Sequence, residues 1–411
     1  MTARLLPPGH ERGGLVDLAA HTHTFGPLSL DIAPRMLLGA VAESGLTGRG
    51  GAAFPTHRKL AQVARGSGAV VVGNAAEGEP ASAKDIHLMR AVPHLVLDGL
   101  QVAAHIVGAT EAHLVVRRGP VVAHVTELAR GRAERGIDPI PVRVSASAGG
   151  FVDGEESALV AGIEGKPALP RSKPPLVGER GYRGRPTLVQ NVETLADLAL
   201  IARNGPAWFR SCGTASDPGT RLLSVSSADS APLVLEVEAG TSLAEVLRVS
   251  ELDPDPTAVL LGGFHGTWLP VRDAAVVVMS SDALAARGAR IGAGVVRVLR
   301  RGACGLDETA RIVAYLAAQS ARQCGPCRNG LPALAKGFAD LTTGRAHGRA
   351  ASEMRDLSDL VDGRGACRHP DGTARLVRSA LVTFADEVAA HTAGRCIAVG
   401  RPTPSREPAW Q

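Results

Sequence analysis

The chain has 411 residues, 45% apolar and 21% charged, with a formal net charge of +5, 48 glycines and only 3 Trp, 2 Tyr and 7 Phe. That balance excludes a disordered chain, and no run of apolar residues reaches the length of a membrane-spanning helix. The basic residues are scattered among acids, and few aromatic rings are available for stacking, so a nucleic-acid partner is not expected.

In chain order, residues 33–44 carry apolar side chains at helical spacing and stop at Gly45. A compact apolar run within 66–80 reads as a strand, and 86–109 as a helix beginning near Pro93. Residues 111–118 read as strand, 121–135 as helix and 139–147 as strand; this alternation predicts a parallel α/β sheet. From about residue 215, short strands within 221–228, 233–240, 257–264 and 291–300 surround one helix at 242–250. Beyond Asp307 the pattern is helical, over 307–320, 331–343, 352–362 and 375–393, and the Pro-rich end reads as a disordered tail. The start puts Pro, His and Glu where a signal peptide needs an apolar run, so a cytoplasmic chain is expected.

The glycine-rich stretch 45–55 contains Gly48, Gly50 and Ala53 at G-x-G-x-x-A spacing, which lets backbone N–H groups approach a phosphate. It follows a predicted helix rather than a strand, so the ordinary dinucleotide-binding context is missing. Polar clusters stand at Asn74, Glu77 and Glu79, at Asp153, Glu155 and Glu156, and at Lys173 with Gln190, Asn191 and Glu193. Carboxylates at strand ends accept from ribose hydroxyls, and Lys and Asn serve phosphate and flavin oxygens. The five lysines are Lys59, Lys84, Lys166, Lys173 and Lys336, and four of them lie in or beside these clusters. Elsewhere basicity is supplied as Arg, whose planar guanidinium is not equivalent to a compact ammonium.

Six cysteines are too few and too irregular for a disulfide framework. Cys324 and Cys327 form a C-x-x-C pair, and Cys367 can add a third thiolate to one centre. A dithiol redox site belongs at a strand-to-helix junction, whereas this pair lies between helices; zinc would need a fourth ligand, with His369 nearby. Cys212, Cys304 and Cys396 read as small buried or incidental residues.

Taken as an ordered set, 44–59, 74–85, 151–166, 169–175, 186–196 and 323–330 resemble the NADH-binding flavoprotein subunit of respiratory complex I. The resemblance extends to its relatives in NAD-dependent hydrogenases and formate dehydrogenases. It implies a multi-domain α/β protein: a Rossmann-like FMN- and NADH-binding α/β domain over 1–212, a soluble-ligand-binding β-grasp module over 218–300 and a helical iron–sulfur-binding bundle over 301–396, with a tail at 397–411. It places Gly48, Arg49, Gly50, Gly51, Lys59, Asn74, Glu77, Glu155 and Asn191 at FMN, and Phe54, Glu79, Glu156 and Lys173 at NAD(H). Cys324, Cys327 and Cys367 fall on ligands of a [4Fe-4S] cluster.

The implied activity passes electrons from NADH through FMN and the cluster to a ferredoxin-like or thioredoxin-like [2Fe-2S] partner, with no side-chain acid or base needed for hydride transfer. The implied location is cytoplasmic, peripheral to a membrane complex. The chain departs from the family pattern at Ala321 for the first cluster cysteine, Ala76 for an acid, Asp153 for a cysteine, and Leu60 and Leu176 for aromatics expected to stack on nucleotide. These departures define a second reading, a non-catalytic scaffold or electron-transfer subunit that kept the fold and lost NADH oxidation.

Overall fold

The computed structural model describes residues 4–8, 17–253, 255–346 and 348–398. The tail expected at 397–411 lies outside the described residues from 399 onward. The first unit runs α1 (Leu18–Phe25), α2 (Pro34–Ser44), α3 (Thr56–Val63), β1 (Val70–Ala75), α4 (Lys84–Ala91), α5 (Pro93–Val107), β2 (Glu111–Val116), α6 (Pro120–Glu134), β3 (Val142–Ala146), α7 (Glu156–Ile163), β4 (Thr187–Asn191) and α8 (Val192–Arg210). All four strands are parallel, in the order β3-β2-β1-β4. β1 is covered on both faces, which is why its sequence is a continuous Val run rather than an alternation.

Helix α5 is apolar around nearly its whole circumference and is buried accordingly. It crosses α8 at Gly99, where a Cβ would stand 1.8 Å from the Leu195 carbonyl oxygen, so only glycine permits this contact. The helix expected to begin near Pro93 is observed: Pro93 opens α5 as its first residue, because proline cannot continue α4, which ends at Ala91. The Gly45 stop is observed as a left-handed cap on α2 with φ 72°.

The second unit comprises β5 (Thr220–Ser226), β6 (Leu233–Glu238), α9 (Leu243–Ser250), β7 (Pro256–Leu261), β8 (Thr267–Pro270), α10 (Ser281–Ala285) and β9 (Val295–Arg300). Its sheet order is β6-β5-β9-β7-β8, with β5 and β9 parallel and the other neighbours antiparallel, the β-grasp arrangement. The third unit is helical: α11 (Gly305–Ala318), α12 (Leu331–Thr342), α13 (Ala350–Val361), α14 (His369–Thr383) and α15 (Ala385–Thr392). The helix expected over 375–393 breaks at Phe384, whose φ of −108° and ψ of 33° leave the helical region. The second and third units share a core in which Phe264, Trp268 and Leu299 pack with Leu306, Ile312 and Leu376. Among the described residues, no helix is long and apolar enough to cross a membrane.

Candidate functional site

β2 and β3 lie to one side of β1 and β4 to the other, so the strand order reverses between β1 and β4. In parallel α/β sheets, ligands bind in the crevice at the carboxyl ends of the strands at such a reversal. Asn74 and Asn191 stand opposite one another there, at the ends of β1 and β4. The glycine loop between α2 and α3 closes over the crevice. Its base is fixed by the Gly48 N–H donating to Phe54 O (2.9 Å) and the Arg49 N–H to Thr194 Oγ1 (2.9 Å). Gly50 lies so close to Asn191 that a Cβ would be 3.3 Å from that residue's own Cβ. The backbone N–H groups of Gly50, Gly51 and Ala52 donate to no other described residue, leaving a run of donors of the kind that cradles a phosphate. Beside the loop is a cavity of about 330 Å³ lined by Gly48, Gly51, Ala52, Lys84, Glu193 and Gly292, so the β-grasp unit supplies one wall.

The side chains named from sequence divide by role. Asn74 Nδ2 donates to Gly154 O (3.0 Å), tying the end of β1 to the 150–156 turn. Asn191 caps α8 by accepting from the Glu193 N–H (3.0 Å) and donates to Asp85 (2.7 Å). Lys59 pairs with Glu156 and donates to Val189 O (2.6 Å), while Lys173 pairs with Glu155 at 3.0 Å. Glu155 also caps α7, accepting from the N–H groups of Ser157 and Ala158. Phe54 is half exposed beside the loop. Arg49 is 6% exposed and pairs with Asp197 (3.3 Å) while donating to Thr220 O (3.1 Å), so its guanidinium anchors the loop. Asp153, in place of a cysteine, accepts from the Gly150 N–H (2.7 Å) and shapes the same turn.

Glu77 and Glu79 are also occupied structurally. Glu77 accepts from Ser82 Oγ (2.7 Å) and from the N–H groups of Asp85 (2.9 Å) and Ile86 (3.0 Å) at the start of α4. Glu79 accepts from the Phe264 N–H (2.8 Å) and so joins the first unit to the second. Burial, helped by Asp85 at Glu77, pushes both carboxyls up to about 7. An acid whose pKa is higher folded than unfolded holds its proton longer in the native state, so its contribution to stability falls as pH rises from about 4.5 to about 7. Glu79→Gln is therefore expected to have a flatter urea midpoint than wild type across that window; an unchanged slope would contradict the assignment.

Sequence reasoning sees Glu193 in a polar cluster and Lys84 among the scarce lysines, with Asp85 beside it, but gives none of the three a ligand. Lys84 is buried between Asp85 (2.6 Å) and Glu193 (2.8 Å), and Glu193 also accepts from the Leu222 N–H (2.8 Å). Burial disfavours the Lys84 ammonium, but the two carboxylates outweigh it and hold its pKa above the ordinary value. This charge cluster is the floor of the cavity.

Cys327 lies in a one-turn π-helix, Pro326–Gly330, of the kind found at functional sites. Its thiol is in hydrogen-bond contact with Cys324 and within electrostatic range of Cys367. Burial pushes Cys327 up to about 12 and also raises Cys367, whereas at Cys324 the N–H groups of Ala366 and Cys327 overcome burial and lower it. The Glu155 carboxylate also raises Cys367. The 150–156 turn adds a direct link, the Phe151 N–H donating to Gln319 Oε1 (3.2 Å) at the end of α11.

Two expectations are corrected. Leu60 is wholly buried in the core under α3, so it marks no lost stacking surface. His369 has both ring nitrogens engaged, with Leu316 O (2.8 Å) and His265 (3.1 Å), so in this arrangement it is not a free fourth ligand. Cys304 is buried and Cys396 exposed, and with His391 they form a compact group.

A phosphate-type loop over the switch point of a parallel sheet, next to a cysteine triad in a helical unit, defines a nucleotide-dependent redox protein of the flavin and iron–sulfur class. Residues 41–200 match the family model described as Nuo51 FMN-binding domain, and 307–391 that described as NADH-ubiquinone oxidoreductase-F iron-sulfur binding region. The F 2 subunit of NADH-quinone oxidoreductase from Rhizobium meliloti (strain 1021) is 33% identical over 87% of this chain and 89% of its own length. The F subunit of the same enzyme from Streptomyces coelicolor (strain ATCC BAA-471 / A3(2) / M145) is 31% identical over 93% of this chain and 88% of its own. The chain belongs to this family, that of the F subunits of NADH-quinone oxidoreductase. Among solved structures, it superposes on an NAD+-reducing [NiFe]-hydrogenase in the H2-reduced state with a TM-score of 0.81, at 30% identity over 87% of this chain. The air-oxidized state gives a TM-score of 0.83 at 28% identity over 98%. The chain spans 63% of the H2-reduced hydrogenase chain and 69% of the air-oxidized one.

Proposed function

We propose that this chain is an NADH:acceptor oxidoreductase that binds FMN and NADH in the β1/β4 crevice and passes electrons through an iron–sulfur centre at Cys324, Cys327 and Cys367. The observation that carries the reading is the hydrogen bond from the Phe151 N–H to Gln319 Oε1 (3.2 Å), which ties the 150–156 turn of the crevice to the helical unit that carries the three cysteines. FMN, when bound, converts a two-electron hydride into single electrons that a cluster accepts. The N–H groups of Gly50, Gly51 and Ala52, with Lys59, bind the phosphate. Asn74 and Asn191 orient polar ring edges at the strand ends. Phe54 offers an exposed face for the nicotinamide nucleotide, with Glu79, Glu156 and Lys173 fixing its polar groups. The units 1–212, 218–300 and 301–396 divide this work: the first binds nucleotide, the second walls the cavity, and the third holds the cluster. The acceptor is a ferredoxin-like or thioredoxin-like [2Fe-2S] protein, and the location is cytoplasmic, peripheral to a membrane complex.

Lys59→Ala is expected to lower the FMN occupancy of purified protein, read from the flavin released on denaturation; full occupancy would contradict the role of Lys59. A second reading, a scaffold without NADH oxidation, is favoured by Ala321, which supplies no fourth thiolate, together with the engagement of both His369 nitrogens.

A further inference from the structure

We propose that Cys304, His391 and Cys396 bind a single divalent transition-metal ion, zinc by its donor set, at a site separate from Cys324, Cys327 and Cys367. The ligand atoms of the three residues all lie within 4.8 Å of one another, and among the described residues no other trio of Cys, His, Asp or Glu does so. Cys304 Sγ is 3.4 Å from His391 Nε2. Zn–S bonds of about 2.3 Å and Zn–N bonds of about 2.0–2.1 Å in a tetrahedron require an S···N edge of about 3.6 Å. The spacing is therefore that of ligands around one ion, whereas a cubane cluster binds its cysteines at separate corners.

The surroundings suit such an ion. Cys304 caps α11, its sulfur accepting from the Asp307 N–H (3.4 Å), which fixes the position of its sulfur at the start of the helical unit. Glu387 stands one turn before His391 on α15, and its Oε2 accepts from the Cys304 thiol (3.2 Å) and the Leu306 N–H (3.2 Å), making it the nearest oxygen donor for a fourth position. Two thiolates balance the charge of a dication, and thiolate with imidazole selects zinc over magnesium or calcium. Cys304 and His391 are buried while Cys396 is exposed, which gives the ion a route in from solvent. The site joins the first residue before α11 to the segment after α15, so one ion clamps the two ends of the helical unit.

The test is elemental analysis of the purified full-length chain, followed by chelator stripping and titration with Co2+ under visible absorption. About one zinc per chain is expected, with intense tetrahedral cobalt bands on titration. Cys396→Ser, at an exposed position and with its folding checked by circular dichroism, is expected to lose the zinc and those bands, and Cys327→Ser to keep both. Three results overturn the proposal: zinc-free wild-type protein without cobalt bands, zinc retained in both Cys396→Ser and His391→Ala, or a Cys304–Cys396 disulfide in protein alkylated at lysis.

Discussion

Lys84→Met is expected to lower the free energy of unfolding by about 3–5 kcal/mol, read from urea denaturation of the flavin-free chain. The size follows from burial rather than from the strength of the ion pairs. Removing the ammonium leaves Asp85 and Glu193 facing each other at the cavity floor without their shared cation. Adding Asp85→Asn to Lys84→Met is expected to recover part of the loss, because one of the two unpaired carboxylates is then neutral. If Lys84→Met unfolds at the wild-type urea concentration, the cluster does not hold the floor together.

Cys327→Ser is expected to reduce bound iron by about tenfold or more, since even outer-shell changes cost a metal site about 10–100-fold in affinity. Flavin content should be unchanged, because the crevice lies on a different unit. Cys327 is 2% exposed and sits in the core shared by the second and third units, so folding needs its own check by circular dichroism. Wild-type iron content in a folded variant would remove Cys327 from the ligand set.

The parallel sheet and the helical third unit are legible in the sequence because each rests on a local period: the Val run of β1, the Pro93 start of α5 and the Gly45 stop of α2 are all written within a few residues. β4 escapes such a reading because TLVQN ends in polar residues and runs directly into α8, and β8 because it has only four residues. The glycine loop is correctly set apart from an ordinary dinucleotide fold by its neighbours, as it connects α2 to α3. Side-chain direction is not legible. Motif position alone puts Arg49 at the flavin, yet Asp197 draws its guanidinium into the protein; it also makes Leu60 a missing aromatic, although that position faces the core. Cys304 and His391 meet only because the ends of a five-helix unit are folded together, and no spacing rule joins residues so far apart.

Everything proposed for the redox chemistry turns on the crevice and the cysteine triad forming one electron path that starts from NADH. The most direct test is the visible spectrum, with iron and flavin content, of protein purified without oxygen, recorded before and after adding NADH. Bound FMN and iron are expected, with bleaching of the flavin absorbance by NADH. A colourless protein lacking both, or a flavin that NADH leaves oxidised, would contradict such a path.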